Sequence, residues 1–295
     1  MRTSVADVIC AGKGIILALS VTIFMFSCTS GTNQIIKEPT KTEPAKTEKV
    51  EPEKSVKRTI ALLTKETILY ADGEVDVYTI YNYSENSDQL IARELYSSQD
   101  DLIERVSLSY ENTLLTRKAV FSADGEQKPY HLYTYNNVGL LESDTLYAKK
   151  EKIQTISKYE YYPTGERKKW SIYNGNEALL GYTIHNYENE KLIRTDIFSS
   201  QGSLEQYSRV EYNQNLQKIE VKFLTPSGEL ERYSKYDYEN DLLILESYFN
   251  SENKLQRQVK YGYGNQGNII RIEHIDGSGR LKEIIKQEYL YKEQK

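Results

Sequence analysis

Cysteine is nearly missing from this chain: 295 residues contain two, Cys10 and Cys28. A disulfide framework is therefore excluded, and so is a cysteine-rich zinc module. Histidine is scarce as well, with His131, His185 and His274 far apart in the sequence, and no zinc-type Cys/His spacing, nucleophile elbow, phosphate loop or EF-hand loop occurs. Long apolar runs are also lacking. The longest, Ile15 to Phe26, covers about 12 residues, short of the roughly 20 that a membrane-spanning helix needs. Basic excess is absent too: the formal net charge is −5. Residues 1–28 carry +1, from Arg2 and Lys13 against Asp7, and residues 29–58 carry +2, from seven Lys or Arg against five Glu, which leaves −8 on the remainder. Nucleic acid is thereby disfavoured as a partner, since its binders present a basic stripe.

What is abundant is tyrosine, 26 residues of it, all beyond Arg58. Tyr70, Tyr96, Phe121, Tyr147, Tyr173, Phe198, Phe223, Phe249 and Ile275 recur at a near-constant spacing, and Tyr83, Tyr110, Tyr135, Tyr161, Tyr187, Tyr212, Tyr238, Tyr263 and Tyr289 keep the same period between them. Phase-keeping of this kind marks a repeat architecture, in which each unit buries its apolar side on its neighbours. Within a unit the alternation is strand-like, as in Ile219, Val221, Phe223 and then Leu230, Arg232, Ser234, Tyr236, Tyr238. Gly- and Asn-rich turns such as Asp72-Gly73, Asp124-Gly125, Asn174-Gly175, Ser227-Gly228 and Asn240-Asp241 separate the runs. Pro163 and Pro226 fall in turns, and Pro129 marks a bulge or strand start.

Connections this short join only antiparallel neighbours, so residues 59–295 are expected to form an all-β meander of roughly 18 strands. Tyr135 through Tyr263 should form one column across the sheet, with Tyr81, Leu108, Tyr133, Tyr159, His185, Val210, Tyr236 and Tyr261 beside it. Accumulated twist should curl so wide a sheet into a rolled sheet, half-shell or incompletely closed barrel, with Tyr inside and Lys, Glu and Ser outside. A propeller of paired units is the alternative. The polar series Glu205, Tyr207, Arg209, Glu211 and Glu231, Tyr233, Lys235, Asp237 faces water, which argues against an outer-membrane barrel.

The N-terminus reads as an export signal, with a short basic region, an apolar run and then Met25-Phe26-Ser27-Cys28. The last four residues resemble a bacterial lipoprotein lipobox, and its departures at Met25 and Phe26 resemble the relaxed lipoboxes of spirochaetes. The resemblance implies cleavage before Cys28 and acylation of Cys28 with up to three chains, a membrane anchor of outer-membrane type. Residues 29–58 have no aromatic residue, contain Pro39, Pro44 and Pro52, and alternate Lys, Glu and Thr, the composition of a solvated, disordered tether.

The strings Tyr236-Asp237-Tyr238-Glu239-Asn240-Asp241-Leu242 and Tyr261-Gly262-Tyr263-Gly264-Asn265-Gln266-Gly267 resemble the YD repeats of Rhs and teneurin-type proteins, Tyr-x-Tyr-Asp-x-x-Gly-x-Leu. The Asp after the second Tyr is replaced here by Ser84, Asn136, Tyr162, Asn213, Glu239 or Gly264. The resemblance implies a curled hollow scaffold. With no cargo or self-cleaving segment after residue 263, a toxin-carrying shell is not expected.

Gly262-Tyr263-Gly264 with Gly267 imitates a dinucleotide fingerprint but sits at a hairpin with no following helix, so no cofactor is expected. His185 stands where other units place Tyr, the position of a packed, hydrogen-bonded residue. Outward tyrosines such as Tyr207 and Tyr233 are candidate contacts for sugar rings or protein partners, and Trp170, beside Lys168 and Lys169, breaks the repeat pattern and is the leading candidate. The expected class is a non-enzymatic envelope lipoprotein that binds or scaffolds. Glycan or peptidoglycan recognition is the second reading and a hydrolase the third.

Overall fold

The computed structural model describes residues 59–148 and 151–293; Cys28, the export signal and the tether lie outside the described residues. Eighteen strands follow one another: β1 (Thr59–Tyr70), β2 (Val75–Tyr83), β3 (Leu90–Ser97), β4 (Leu102–Glu111), β5 (Leu114–Ser122) and β6 (Gln127–Tyr135). Next come β7 (Leu141–Tyr147), β8 (Ile153–Tyr161), β9 (Arg167–Asn174), β10 (Leu179–Glu188), β11 (Lys191–Ser199) and β12 (Leu204–Tyr212). The last six are β13 (Lys218–Leu224), β14 (Leu230–Glu239), β15 (Leu242–Asn250), β16 (Leu255–Tyr263), β17 (Ile269–Asp276) and β18 (Leu281–Glu293).

Each strand pairs antiparallel with the next, and β1 also pairs with β18, from Thr59 opposite Glu293 to Tyr70 opposite Glu283. The expected meander is present, and it goes further than a partial shell: the single sheet closes into a barrel. Closure is the stable outcome because a curled sheet with two free edges leaves two rows of backbone donors and acceptors unpaired. The propeller alternative does not form, since all strands share one sheet. With strands about 4.8 Å apart and tilted about 40°, eighteen strands enclose a backbone radius of roughly 18 Å, too wide for side chains to fill. In keeping with a one-layer wall, no large side chain among the described residues is completely buried.

The repeat period has a local cause. Every ladder contains a register shift, and in the hairpins from even to odd strands it falls immediately before the second-series tyrosine: Asn82/Tyr83, Ser109/Tyr110, Thr134/Tyr135, Asp237/Tyr238 and their equivalents. A bulge interrupts the ladder and sharpens the local twist, and one per hairpin curls the sheet evenly. Pro129 lies in such a shift, between Tyr130 opposite Ala119 and Gln127 opposite Phe121.

The tyrosine hydroxyl completes the bulge. Tyr110 donates to the carbonyl of Leu90, the residue paired with Tyr83, at 2.8 Å. Tyr135 donates to Leu115, paired with Tyr110, and Tyr161 to Leu141, paired with Tyr135, both at 2.8 Å. Tyr212, Tyr238 and Tyr263 repeat this toward Leu192, Lys218 and Leu243. Tyr83 reaches across the seam region to Leu63, which is paired with Tyr289, so the hand-over-hand series runs through the closure. Two links differ: Tyr187 meets Tyr162 edge-on, and Tyr289 donates to Gln287.

Register assigns the side chains to two walls. The inner wall carries the expected column of Tyr81, Tyr133, Tyr159, Tyr236 and Tyr261, interrupted by Leu108, His185 and Val210. Burial pushes the Tyr81 and Tyr236 phenols up to about 12 and those of Tyr133 and Tyr261 higher still. The outer wall was expected to be Lys, Glu and Ser, yet it too is aromatic. Tyr78 stacks on Tyr96 at 5.2 Å, Tyr130 on Tyr147 at 5.0 Å, Tyr182 on Phe198 at 4.8 Å and Tyr233 on Phe249 at 4.7 Å. These are direct cross-strand partners, and such pairs add about 0.5–1.5 kcal/mol beyond their buried area.

Phe223 leaves the first series. Leu224, paired with Tyr207 and Leu230, occupies the place that Phe249 holds between Tyr233 and Leu255, while Phe223 pairs with Ser208 and Arg232 on the inner wall. A one-residue difference in phase moves a side chain to the opposite face.

Gly175 differs from the turn reading, and Gly277 behaves as it does. Neither has positive φ; a Cβ there would lie 2.0 Å from the Ile153 carbonyl oxygen and 2.3 Å from that of Leu255, so close backbone approach requires glycine. In the Gly175 turn the left-handed residue is Glu177.

Candidate functional site

Trp170 sits on the inner wall, on β9, opposite Tyr159 on one side and Thr183 on the other. Its indole lies parallel to the Tyr159 ring at 6.5 Å, and the Arg167 guanidinium lies 4.8 Å from that tyrosine. The Trp170 Nε1 is buried and has no hydrogen-bond partner. Register explains why the residue stands out. Glu66, Arg93, Lys118, Asp144, Trp170, Thr195, Val221, Glu246 and Ile272 occupy one level of the inner wall on successive odd strands. That level keeps the repeat period while its chemistry varies freely, so it is invisible to a search for recurring residue types.

Two polar clusters on this level were not anticipated. His131 Nδ1 lies 2.7 Å from Asp144, with Lys118 directly opposite His131. Burial, and then Arg93, hold the Lys118 ammonium below its usual pKa. On the far arc Glu246 accepts from Tyr261 at 2.9 Å and also from Tyr248, while Lys218 lies 3.8 Å from the Tyr236 ring centre and Arg257 3.7 Å from that of Tyr248. His185 is held between Thr183 and Thr195, each at 3.2 Å, and burial followed by the Arg167 charge lowers its pKa to about 4. The three histidines lie on β6, β10 and β17 and do not converge. Among the described residues no group of three or more His, Cys, Asp or Glu side chains could hold a metal ion.

Tyr207 and Tyr233 do face outward, but they are 7% and 9% exposed, where open contact residues were expected. Arg194 covers the Tyr207 ring at 4.0 Å, and Phe249 covers Tyr233. Ring faces already occupied by a neighbouring strand are not available to stack on a sugar.

The rest of the outer wall is laced with ion pairs: Arg105 with Glu94 at 2.6 Å, Arg194 with Asp196 at 2.6 Å, Lys222 with Glu211 at 3.0 Å and Arg271 with Glu273 at 2.8 Å. A lipid-facing barrel needs a continuous apolar band in that position. No helix among the described residues is long and apolar enough to cross a membrane. A depression of ≈ 630 Å³ lies between the β6–β7 and β8–β9 turns and is lined by Val138, Leu140, Tyr161, Tyr162 and Pro163 among others.

No family model and no curated protein matches the chain. Among solved structures it is similar to the TcdB2-TccC3 crystal structure without its hypervariable C-terminal region, at 15% identity and a TM-score of 0.37, over 70% of this chain and 12% of that one. It is also similar to porin-like proteins from Bacteroides uniformis (10% identity, TM-score 0.39, 77% of this chain and 96% of that) and Bacteroides vulgatus (12%, 0.36, 77% and 98%). At these scores the likenesses carry no argument about function.

Proposed function

We propose that this chain is a non-enzymatic lipoprotein of the cell envelope, in which acylated Cys28 anchors a solvated tether and the barrel serves as a rigid binding or structural module. The observation that carries the reading is the ion-paired outer wall of a closed sheet. A barrel with that exterior belongs in water, so attachment to a membrane falls to the N-terminal segment, whose lipobox-like Met25-Phe26-Ser27-Cys28 supplies it. Several acyl chains at about 0.8 kcal/mol per buried methylene make such an anchor effectively permanent.

The test is fractionation of cells carrying wild type or Cys28→Ala, with protease added before and after outer-membrane permeabilisation. Membrane association lost in Cys28→Ala is the expected result; unchanged association would overturn the anchor. Digestion in intact cells would assign the barrel to the surface, and protection until permeabilisation to the periplasm.

A further inference from the structure

Charged side chains facing each other across the outer wall mostly carry opposite signs: Glu94 opposite Arg105, Glu160 opposite Lys169, Glu220 opposite Lys235, Lys260 opposite Glu273 and Lys65 opposite Glu288. Strands β11 to β13 depart from that rule. Arg194 stands opposite Arg209, and Arg209 opposite Lys222, so three cations lie side by side on three adjacent strands. Arg271 opposite Lys286 and Glu211 opposite Glu220 are other like-charged pairs, each only two strands wide. Like charges directly opposite destabilise a ladder, so folding alone does not favour the arrangement.

The nearby carboxylates are shared unevenly. Asp196 accepts from Arg194 at 2.7 Å, and Lys222 holds Glu211 at 3.0 Å and Glu220 at 2.5 Å. Among the described residues no ion pair engages Arg209, which is exposed, with its guanidinium 5.5 Å from the Tyr207 ring. Tyr207 is itself fixed under Arg194. Arg209 is thus an open guanidinium fork on a rigid wall, between two cations that already have partners.

We propose that Arg209, flanked by Arg194 and Lys222, docks a carboxylate of an acidic polysaccharide on the outer wall. A guanidinium presents paired donors that match a carboxylate bidentately. Adjacent strands set the three cations about 4.8 Å apart, comparable to the rise of a polyuronate that bears one carboxylate per sugar ring. Glu211 and Glu220 beside the patch, and the −8 charge beyond residue 58, disfavour duplex nucleic acid, whose one charge per about 1.7 Å is far denser than one carboxylate per sugar ring. This inference deepens the reading of the barrel as a binding module, and it does not depend on the anchor.

The experiment is titration of the full-length protein with polygalacturonate at low and at physiological salt. Arg209→Gln should weaken binding about ten-fold, whereas Arg105→Gln, which removes an ion-paired cation on β4, should change it less than about two-fold. Arg209→Gln should also raise the melting temperature, because it removes repulsion; a purely structural arginine would lower it. Absence of wild-type binding, equal losses in the two variants, or a lower melting temperature in Arg209→Gln would overturn the proposal. Arg209-dependent binding to phosphatidylglycerol vesicles but not to polygalacturonate would overturn it too, in favour of a lipid surface. Cys28→Ala should leave glycan binding intact, so failure of the anchor and failure of this site are separable.

Discussion

Replacing Tyr238 by Phe removes one oxygen and leaves the ring in place, which isolates the hydrogen bond to the Lys218 carbonyl, 2.9 Å long. A neutral hydrogen bond contributes about 0.5–1.5 kcal/mol net. Water from the lumen can partly replace the donor, which places the expected loss near 1 kcal/mol, or about 2–4 °C in melting temperature for a domain of this size. Tyr238→Ala removes the ring as well. Full burial would set that cost at about 3–5 kcal/mol, and a half-buried ring brings it to about 2–3. The molecule supplies its own control, because Tyr187 makes edge-on contact with Tyr162 and no bond to a carbonyl, so Tyr187→Phe should stay within about 0.5 kcal/mol. Urea unfolding followed by the fluorescence of Trp170, the single tryptophan, measures all three. Equal losses in Tyr238→Phe and Tyr187→Phe would refute the role given to the hydroxyl. Tyr135→Phe combined with Tyr238→Phe, eight strands apart, should be additive.

His185 makes stability pH-dependent. Unfolded, it titrates near 6.5; folded, near 4, so below 6.5 the unfolded chain binds a proton that the barrel refuses, and stability falls as pH drops from 6.5 toward 4. Complete shielding would make this about 3 kcal/mol; luminal water reduces it to about 1–2, and His185→Tyr, which restores the repeat residue, should remove that part of the acid sensitivity in urea titrations. Leu216 has φ +61° and is 61% exposed, at a turn position filled elsewhere by Gly139, Gly165 and Gly267. Leu216→Gly should therefore stabilise by about 1 kcal/mol, and an unchanged or lower melting temperature would contradict the strain. Gly175→Ala forces a Cβ against the Ile153 carbonyl and should cost about 1–3 kcal/mol, more than Leu216→Gly gains.

Strand number, direction and the inner tyrosine column were legible because period-2 alternation and glycine-marked turns report directly on backbone geometry. The uniform Tyr of the second series carried a further signal. A position that only had to bury a ring would accept Phe, as the first series does at Phe121, Phe198 and Phe249, so nine tyrosines in succession indicate that a hydroxyl is used. Closure was not legible. Whether eighteen strands meet depends on the twist added by each bulge, and no residue type reports the size of that twist. Phe223 shows the same blindness at one position: spacings of 25 and 26 are mixed irregularly along the first series, and one residue of error changes walls. The candidate contacts Tyr207 and Tyr233 lie on the face opposite the tyrosine column, and the cover supplied by Arg194 and Phe249 comes from neighbouring strands, outside the alternation of their own strand. Trp170 was singled out for breaking the repeat, and its unpartnered Nε1 makes it distinctive on the inner wall as well.

The seam between β1 and β18 also sets the order in which the domain can be completed. Every other ladder joins neighbours in sequence and can form as soon as a hairpin exists, on the microsecond scale typical of such turns. The seam must wait for the final strand and then close a loop of more than two hundred residues, an event that topology makes slow. Until then the growing sheet presents two pairing-competent borders to any other chain. A chain cut short before Leu281 would keep all its earlier hairpins and still lack a finished border, so its expected fate is aggregation or proteolysis, not partial activity.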